Sequence, residues 1–221
     1  VKEYELAASE HWIFNKAGAS NLVGIKNGGA LTVVGSAPTH NAASLTLASA
    51  AVNGLSSTFA DSLTYTLCCV AKVQAAGTQR VLFSNFGHPT GGSSLTWQLS
   101  TGFDLLGSAE IGGSAVNQLV NTTDFTVGTW QFIALVMDHS GSNRLRRFQA
   151  GSTNFDFTDT AAFTPHPTVK LSLGDPINAV NGGEFAEFIA FSGTALTTTQ
   201  LGQVYLRSKA RLLRQSGITV A

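Results

Sequence analysis

Short runs of alternating apolar and polar residues, separated by turn-forming residues, make up most of the chain. Leu95, Trp97 and Leu99 alternate with polar residues, and Leu171 and Leu173 do the same. This period of two is typical of β-strands with one buried face. The pattern predicts strands at 22–26, 31–34, 45–48, 63–74, 80–84, 95–100, 102–112, 130–138, 144–150, 168–174 and 184–192. Glycine, asparagine, proline and serine cluster between these runs, so an antiparallel β-sandwich or jelly roll is favoured.

Helical patterns occur only near the two ends. Residues 4–12 predict a short helical turn that leads into the first apolar residues. Near the other end, Thr197 and Gln200 have the spacing of a capping box, and Gly217 is a suitable helix stop. The apolar stripe between them consists of Leu201, Val204, Tyr205, Ser208 and Leu212. A C-terminal helix that packs through this stripe is predicted.

The segment GTWQFIALVMDHSGSNRLRRFQAGS, residues 128–152, predicts a hairpin. Its first strand is apolar on both faces, which is typical of a central strand covered on each side. Asp138 follows this strand, and a polar turn leads into the second strand. Arg144 and Arg146 share one face of that strand and Arg147 lies on the other, so the three arginines do not form one patch.

Composition narrows the classes of partner. The 221 residues include 13 Lys or Arg and 13 Asp or Glu, so the formal net charge is zero. Neither a nucleic acid nor a membrane is an expected partner, because the chain has no global positive field and no apolar run of about 18 residues. The adjacent Cys68 and Cys69 point to opposite faces of a strand, which makes a disulfide between them unfavourable. One domain over 1–221 is predicted.

At this point the ordered motifs resemble those of a known superfamily. The hairpin at 128–152, HWIFNKAGASNLVGIKNGGALTVVG, LTYTLCCVAKV and LSLGDPINAVNGGEFAEFIAFSGTALTTTQLGQVY follow one another as in laminin-G-like domains of the concanavalin A-like lectin/glucanase superfamily. The likeness spans about 12–206 and implies an all-β, two-sheet antiparallel jelly roll with a short C-terminal helix. The tail, about 198–221, is similar to the ends of some phage tail and virion-associated proteins.

The resemblance does not extend to the catalytic motif of the glycosidases in this superfamily. Those enzymes carry a Glu-x-Asp-x-x-Glu strand, whose alternating acids share one face and flank the glycosidic bond. Here Glu184 and Glu187 are three residues apart, which predicts opposite faces of a regular strand, and Glu110 is isolated. The chain is therefore expected not to be an enzyme, with a polysaccharide-degrading glycosidase or lyase as the alternative.

The resemblance also implies a possible Ca²⁺ site at the rim, where many members of the superfamily bind this ion through oxygen ligands. Asp175 is the first candidate ligand, with Asn178 and Asn181 beside it and Asp138 or Asn143 from the hairpin. The alternative is that the segment beginning at Asp175 is simply a turn.

A glycan site requires an exposed aromatic ring and short polar side chains. Phe86 and His88 in the loop 86–94, together with Trp97, are candidates, and Asn178 and Asn181 in the loop 175–183 supply the polar partner. The alternative for Trp97 is a core position, because Leu95 and Leu99 share its face.

The tail predicts a second kind of contact. Its basic residues are Arg207, Lys209, Arg211 and Arg214, and no acidic residue follows Glu187. This pattern indicates either a solvated helix face or a contact with an acidic partner or neighbouring subunit. The leading interpretation is a non-catalytic recognition or structural module, virion-associated or extracellular, that binds a cell-surface glycan or a protein partner. A homo-oligomer is expected, and a purely architectural virion protein without a ligand is the other alternative.

Overall fold

A computed structural model describes residues 7–48, 52–72, 80–85, 94–99, 105–111, 114–120, 126–141, 144–159, 165, 168–175 and 183–221. The strands within these ranges are β1 Glu10–Ile13, β2 Thr32–Gly35, β3 Thr39–His40, β4 Leu45–Leu47, β5 Asn53–Ala60, β6 Thr64–Lys72, β7 Arg80–Ser84, β8 Ser94–Leu99, β9 Leu105–Ile111, β10 Ser114–Val120, β11 Gln131–Asp138, β12 Arg144–Ala150, β13 Thr153–Asp159, β14 Lys170–Asp175 and β15 Gly183–Ser192. A 3₁₀ helix covers Gly18–Leu22, and the helix α1 covers Thr198–Ser216.

The strands form two antiparallel sheets. One sheet has the order β13-β12-β11-β6-β15-β4-β3, with β1 also paired to β15, and the other has the order β10-β9-β8-β7-β14-β5-β2. Neighbours in each sheet are often distant in sequence, as expected when a chain crosses repeatedly between two layers. The fold is an all-β jelly-roll sandwich with a C-terminal helix, which confirms the predicted fold class.

The main core lies between the two sheets. Trp12 from β1 stacks on Phe188 from β15, with ring centroids 5.1 Å apart, and Phe83 from β7 approaches the same ring. Leu171 and Leu173 of β14 are fully buried in this core, as their alternation predicted. These contacts join the two sheets at the centre of the sandwich.

A second apolar layer lies on the outer face of the eight-stranded sheet. In β11, Ile133 and Leu135 face the inter-sheet core, whereas Phe132, Ala134 and Val136 face the second layer. The helix α1 covers this outer face through the four buried residues Leu201, Val204, Ser208 and Leu212. The prediction of a central strand covered on both sides is confirmed.

The helix begins and ends where the sequence predicted. The Thr197 hydroxyl accepts from the Gln200 backbone N–H at 3.3 Å, and the Gln200 side chain accepts from the Thr197 N–H at 2.8 Å. Gly217 follows in a left-handed conformation, with φ of 65°, that glycine adopts without strain. Among the described residues, no helix is sufficiently long and apolar to cross a membrane.

Several elements differ from the predictions. Residues 10–13 form β1 rather than part of a helical turn. The predicted strand 22–26 is instead the last residue of the 3₁₀ helix and the loop that follows it. The strands β3, β5, β10 and β13 were not predicted. β5 shows the reason, since its sequence is rich in polar residues whose hydrogen bonds are satisfied internally: the Ser57 hydroxyl donates to the Leu171 carbonyl at 2.7 Å.

Removing the N-cap tests the helix start. Thr197→Ala is expected to lower the free energy of unfolding by about 1 kcal/mol, because one backbone N–H of the first turn loses its partner. Thr199→Ala, in the same turn but outside the capping box, is the matched control and should change stability by less than about 0.5 kcal/mol. Urea denaturation followed by circular dichroism measures both. Equal losses in the two variants would contradict a capping role.

Candidate functional site

The predicted ligand residues fall mostly outside the described ranges. This applies to Phe86, His88, Asn143, Asn178 and Asn181. The backbone of Trp97 is described, and its register pairs it with the core residue Phe83. Its side chain is outside the described set.

The strand ends show how the two predicted glycan loops begin. β7 and β14 are antiparallel, with Ser84 paired to Ser172. The C-terminal ends of β7 and β14 therefore lie at opposite ends of this strand pair. Residues 86–93 and 176–182 lie outside the described ranges, and the glycan site that combines the two loops stays a prediction.

The strand pairing positions Asp138 and Asp175, the two carboxylates of the predicted joint metal site. Asp138 pairs with Thr64 at the start of β6, whereas Asp175 pairs with Asn53 at the start of β5. The other end of β14, Lys170, is the one that lies near the β5–β6 connection. The backbone positions of Asp138 and Asp175 are therefore separated by about 15 Å along the strand direction. This placement disfavours a joint site, and the joint site stays a prediction.

Asp138 has a local role in its turn. Its carboxylate accepts hydrogen bonds from the Ser140 hydroxyl at 2.7 Å and from the Ser140 N–H at 3.4 Å. The neighbouring His139 is buried, not exposed to solvent at the turn. In the part of the chain that the structure describes, no group of three or more His, Cys, Asp and Glu side chains converges. The Asp175 and Asn143 parts of the calcium hypothesis stay predictions.

The two acidic residues of β15 lie on one face, contrary to the prediction. A register shift occurs between Phe185 and Glu187. Phe185 and Phe188 both face the inter-sheet core, and Ala186 faces the helix layer. Glu184 and Glu187 consequently both lie on the outer face, because the bulge adds one residue and reverses the alternation.

Glu187 is fully buried beneath α1. Its Oε1 accepts from Arg211 Nε at 2.8 Å and lies 2.6 Å from His11 Nε2. Burial alone would raise its pKa, but the hydrogen bond and charge of His11 and the charge of Arg211 lower the pKa to about 2. A general acid requires a raised pKa, so Glu187 is an ionised group that holds the helix. Arg211, predicted to lie on a solvated helix face or to contact a partner, instead makes an internal contact.

Glu184 is engaged by a separate set of partners. It accepts from the Ser44 hydroxyl at 2.9 Å and from the Asn41 amide at 3.2 Å, and it forms an ion pair with Lys72. The Lys72 ammonium also lies 4.7 Å from the centre of the Trp130 ring. This cluster joins β3, β4, β6 and β15 at the edge of the outer face.

A third carboxylate, Glu10 in β1, organises the 24–29 loop. The backbone N–H groups that donate to it at 2.7–3.1 Å belong to His11, Lys26, Asn27 and Gly29. Burial raises its pKa and these four hydrogen bonds lower it, with a net lowering. A Cβ at Gly24 would lie 2.2 Å from the Glu10 Cδ, so the loop requires glycine there. The glycine-rich NLVGIKNGG segment is the signal that predicts such a loop around an anion.

A groove lies between the first half of α1 and the β12–β13 hairpin. One cavity of about 310 Å³ is lined by Gln149, Ser152, Thr198, Thr199, Gly202, Gln203, Tyr205 and Leu206. A second, of about 220 Å³, shares Ser152 and Tyr205 and is also lined by Gln131, Ala150, Gly151, Thr153 and Ala221. We call these two cavities, which share two lining residues, the α1 groove.

Gln149 is the unusual residue of the α1 groove. It is 2% exposed, and its Nε2 donates to the Gly151 carbonyl at 2.7 Å. Its Oε1 is buried and has no hydrogen-bond partner among the described residues. Asn154, paired with Gln149 across β12 and β13, has a buried Oδ1 that also lacks a hydrogen-bond partner among the described residues. Unpaired buried acceptors are rare in native structures and require an explanation.

The helix side of the groove is open. A Cβ built at Gly202 meets no atom within 4 Å. The Tyr205 ring packs against Phe132 at 5.7 Å, and its hydroxyl is hydrogen-bonded to Lys209 Nζ at 3.2 Å. The sequence patterns did not identify Gln149 or Gly202. One sequence feature could have indicated Gln149: it shares a face of β12 with Arg147, and β12 lies next to β11, which is apolar on both faces.

Arg147 fixes the outer rim of this region. Its guanidinium donates to both Asp156 carboxylate oxygens, at 2.7 and 3.2 Å, and to the Leu196 carbonyl at 3.1 Å. The hydrogen bond from Arg147 is the main cause that lowers the pKa of Asp156. These contacts attach the segment before α1 to the β12–β13 hairpin, and they place Arg147 on the helix-covered face.

With a jelly-roll sandwich and an accessory helix defined, the chain can be compared with known proteins. No family model matches it, and no curated protein matches its sequence significantly. Domain 4 of AbnA, a GH43 extracellular arabinanase from Geobacillus stearothermophilus in complex with arabinotriose, is 15% identical with a TM-score of 0.66, covering 90% of this chain and 98% of that one.

Two larger structures have a similar region. The botulinum neurotoxin type G receptor binding domain is 9% identical with a TM-score of 0.66, covering 91% of this chain and 51% of that one. Trypanosoma rangeli sialidase is 10% identical with a TM-score of 0.68, covering 92% and 33%. This chain thus spans about half of the toxin domain and a third of the sialidase. At these identities the likeness shows the shared fold.

Neutralising the buried Glu187 tests its structural role. The carboxylate stabilises the fold while it is ionised, so this contribution is complete above its ordinary pKa of 4.5 and is lost as the pH falls towards 2. Glu187→Gln is expected to lower the free energy of unfolding at pH 7 by on the order of 3 kcal/mol and to flatten its decline between pH 5 and 2.

The control is Glu184→Gln on the same strand. It should cost only about 1 kcal/mol, since a glutamine oxygen can still accept from Asn41 and Ser44. Urea titrations at several pH values measure both variants. An unchanged pH slope in Glu187→Gln would show that Glu187 is not held ionised by His11 and Arg211.

Proposed function

We propose that this domain is a non-catalytic glycan-binding module. The fold supports the proposal, because the arabinanase domain that was solved with arabinotriose matches this chain over nearly its whole length. That comparison covers nearly all of both chains, whereas the sialidase and the toxin domain are matched over a third and a half of their lengths. Fold alone does not define function, so the proposal also depends on the side chains.

The hydrogen bonds and pKa values of the glutamate carboxylates support the non-catalytic part of the proposal. Glu10, Glu184 and Glu187 are each held by hydrogen bonds or ion pairs within the fold. The pKa values of Glu10 and Glu187 are lowered. Glycoside hydrolysis by paired acids requires one carboxyl group that stays protonated near neutral pH, opposite a second one across the scissile bond. These residues favour recognition over hydrolysis.

Binding and turnover can be measured on the same sample. The full chain is expected to bind at least one member of an oligosaccharide array that includes arabinotriose, with saturable binding in calorimetry. Prolonged incubation with the bound polysaccharide should release no new reducing ends. Release that is lost in Glu184→Gln would identify a glycosidase instead, and an array without any bound glycan would refute the proposed function.

The α1 surface favours a second role, a contact with an acidic protein partner or a neighbouring subunit. Leu206 and Leu213, one heptad apart, are 62% and 56% exposed. Lys209 and Arg214 lie on the same helix, which contains no acidic residue. Apolar side chains among basic ones suit an acidic, partly apolar surface. A virion-associated location and a homo-oligomer stay predictions from the sequence.

Sedimentation velocity tests this contact. If α1 joins subunits, the sedimentation coefficient should rise with protein concentration, and Leu213→Gln should abolish the rise. Leu63→Gln, at another exposed leucine, is the control and should have no effect. A monomer at all concentrations would exclude self-association through α1 and leave only a heterologous acidic partner.

A further inference from the structure

We infer that the α1 groove is the glycan-binding site, and that it accepts an uncharged, hydroxyl-rich saccharide ring that donates a hydrogen bond to Gln149 Oε1. This inference rests on the proposed function and specifies both the site and the ligand class. It assigns the binding to the helix-covered side of the sandwich, away from the loops that the sequence patterns selected.

The buried amide oxygen is the first reason. An unpaired acceptor that is removed from water costs about 1–3 kcal/mol. Gln149 Nε2 is committed to the Gly151 carbonyl, which fixes the orientation of the amide and directs the remaining oxygen elsewhere. A ligand that supplies an O–H or N–H donor removes this cost on binding, with a small movement of the groove wall that opens access to the buried oxygen.

The lining sets the charge of the ligand. Among the described residues that line the two cavities, none has a carboxylate, ammonium or guanidinium side chain; they are Gln, Ser, Thr, Tyr, Leu, Gly and Ala. These lining residues offer no charged side chain as counter-ion for a carboxylate, phosphate or ammonium group, and burying such a charge without a partner is costly. An uncharged donor-rich molecule fits this composition.

The walls of the groove suit the apolar C–H faces of a sugar ring. The larger cavity presents mainly carbon atoms, supplied by Tyr205, Leu206 and the threonine side chains. Pyranose and furanose rings have C–H faces that pack on aromatic and aliphatic carbon while their hydroxyls bond to nearby polar groups. The Tyr205 ring is already held by Phe132 and Lys209, so little conformational entropy is lost when a ring packs against it.

The size limits the ligand to a short segment. A volume of about 310 Å³ is at the lower end of the usual range for small-molecule sites, about 300–1,000 Å³. The adjoining cavity of about 220 Å³ extends the groove past Ser152 along the hairpin turn. One ring in the larger cavity and a linked ring in the smaller one would be accommodated.

The experiment uses two independent changes in the groove. Gln149→Met keeps an unbranched side chain of similar length and removes the acceptor. Gly202→Phe places a ring in the open space above the groove floor, and Gly202→Ala is its matched control with only a methyl group. The probes are arabinotriose and the neutral and acidic members of the oligosaccharide array, with affinity measured by calorimetry on the full chain.

The expected result is a loss of at least about tenfold in affinity for the bound neutral glycan in Gln149→Met and Gly202→Phe, because one hydrogen bond to a buried acceptor or the volume of the site is lost. Gly202→Ala should stay within about threefold of wild type. Gln149→Met should unfold at the same or a higher temperature than wild type, since it also removes an unpaired buried oxygen. If Gln149 had a purely structural role, Gln149→Met would instead lower the unfolding temperature and leave the affinity for the glycan unchanged.

The remaining outcomes distinguish a failure of this inference from a failure of the proposed function. Wild-type binding that survives both substitutions would place the glycan elsewhere and overturn the inference while the proposed function stands. Binding of acidic glycans alone would overturn the ligand class. The absence of all glycan binding by the wild type would refute the proposed function, and the inference with it.

Discussion

The apolar outer face of the eight-stranded sheet is the constraint on which the rest of the structure depends. β11 has apolar side chains on both faces, so one sheet-to-sheet core cannot bury them all. The helix α1 supplies the missing cover, and its position is fixed at one end by the capping box and in its second half by the Arg211–Glu187 contact. A charged pair in this layer adds orientation, because an apolar contact alone is not directional.

The packing of α1 on the eight-stranded sheet also creates the α1 groove. A helix laid on a twisted sheet cannot contact every strand along its length, and here it leaves space beside the β12–β13 hairpin where Gly202 provides no side chain. Gln149 of β12 lines that space, and its Oε1 is left without a hydrogen-bond partner among the described residues. Stability and recognition thus arise from one packing event: the helix buries the apolar centre of the sheet and leaves a polar group unpaired at its margin.

Sequence patterns predicted the parts of this fold that depend on local periodicity. The alternating strands, the two-sided β11 and the α1 capping box follow from residues within a few positions of one another. The patterns failed where a distant contact decided the structure. β1 is a strand because it pairs with β15, which is far away in the sequence, and the bulge that places Glu184 and Glu187 on one face cannot be deduced from their spacing. Gln149 was not identified because an unpaired oxygen is a property of the packed state.

Cys68 and Cys69 have a consequence for studying how the protein opens. Both thiols are free and fully buried, and burial raises the pKa of each. Although they are neighbours in sequence, Cys68 belongs to the layer beneath α1 and Cys69 to the core between the sheets. An alkylating reagent therefore encounters two chemically alike reporters that become reactive through different motions. Modification of Cys68 alone would record transient lifting of the helix, whereas modification of Cys69 would record separation of the two sheets.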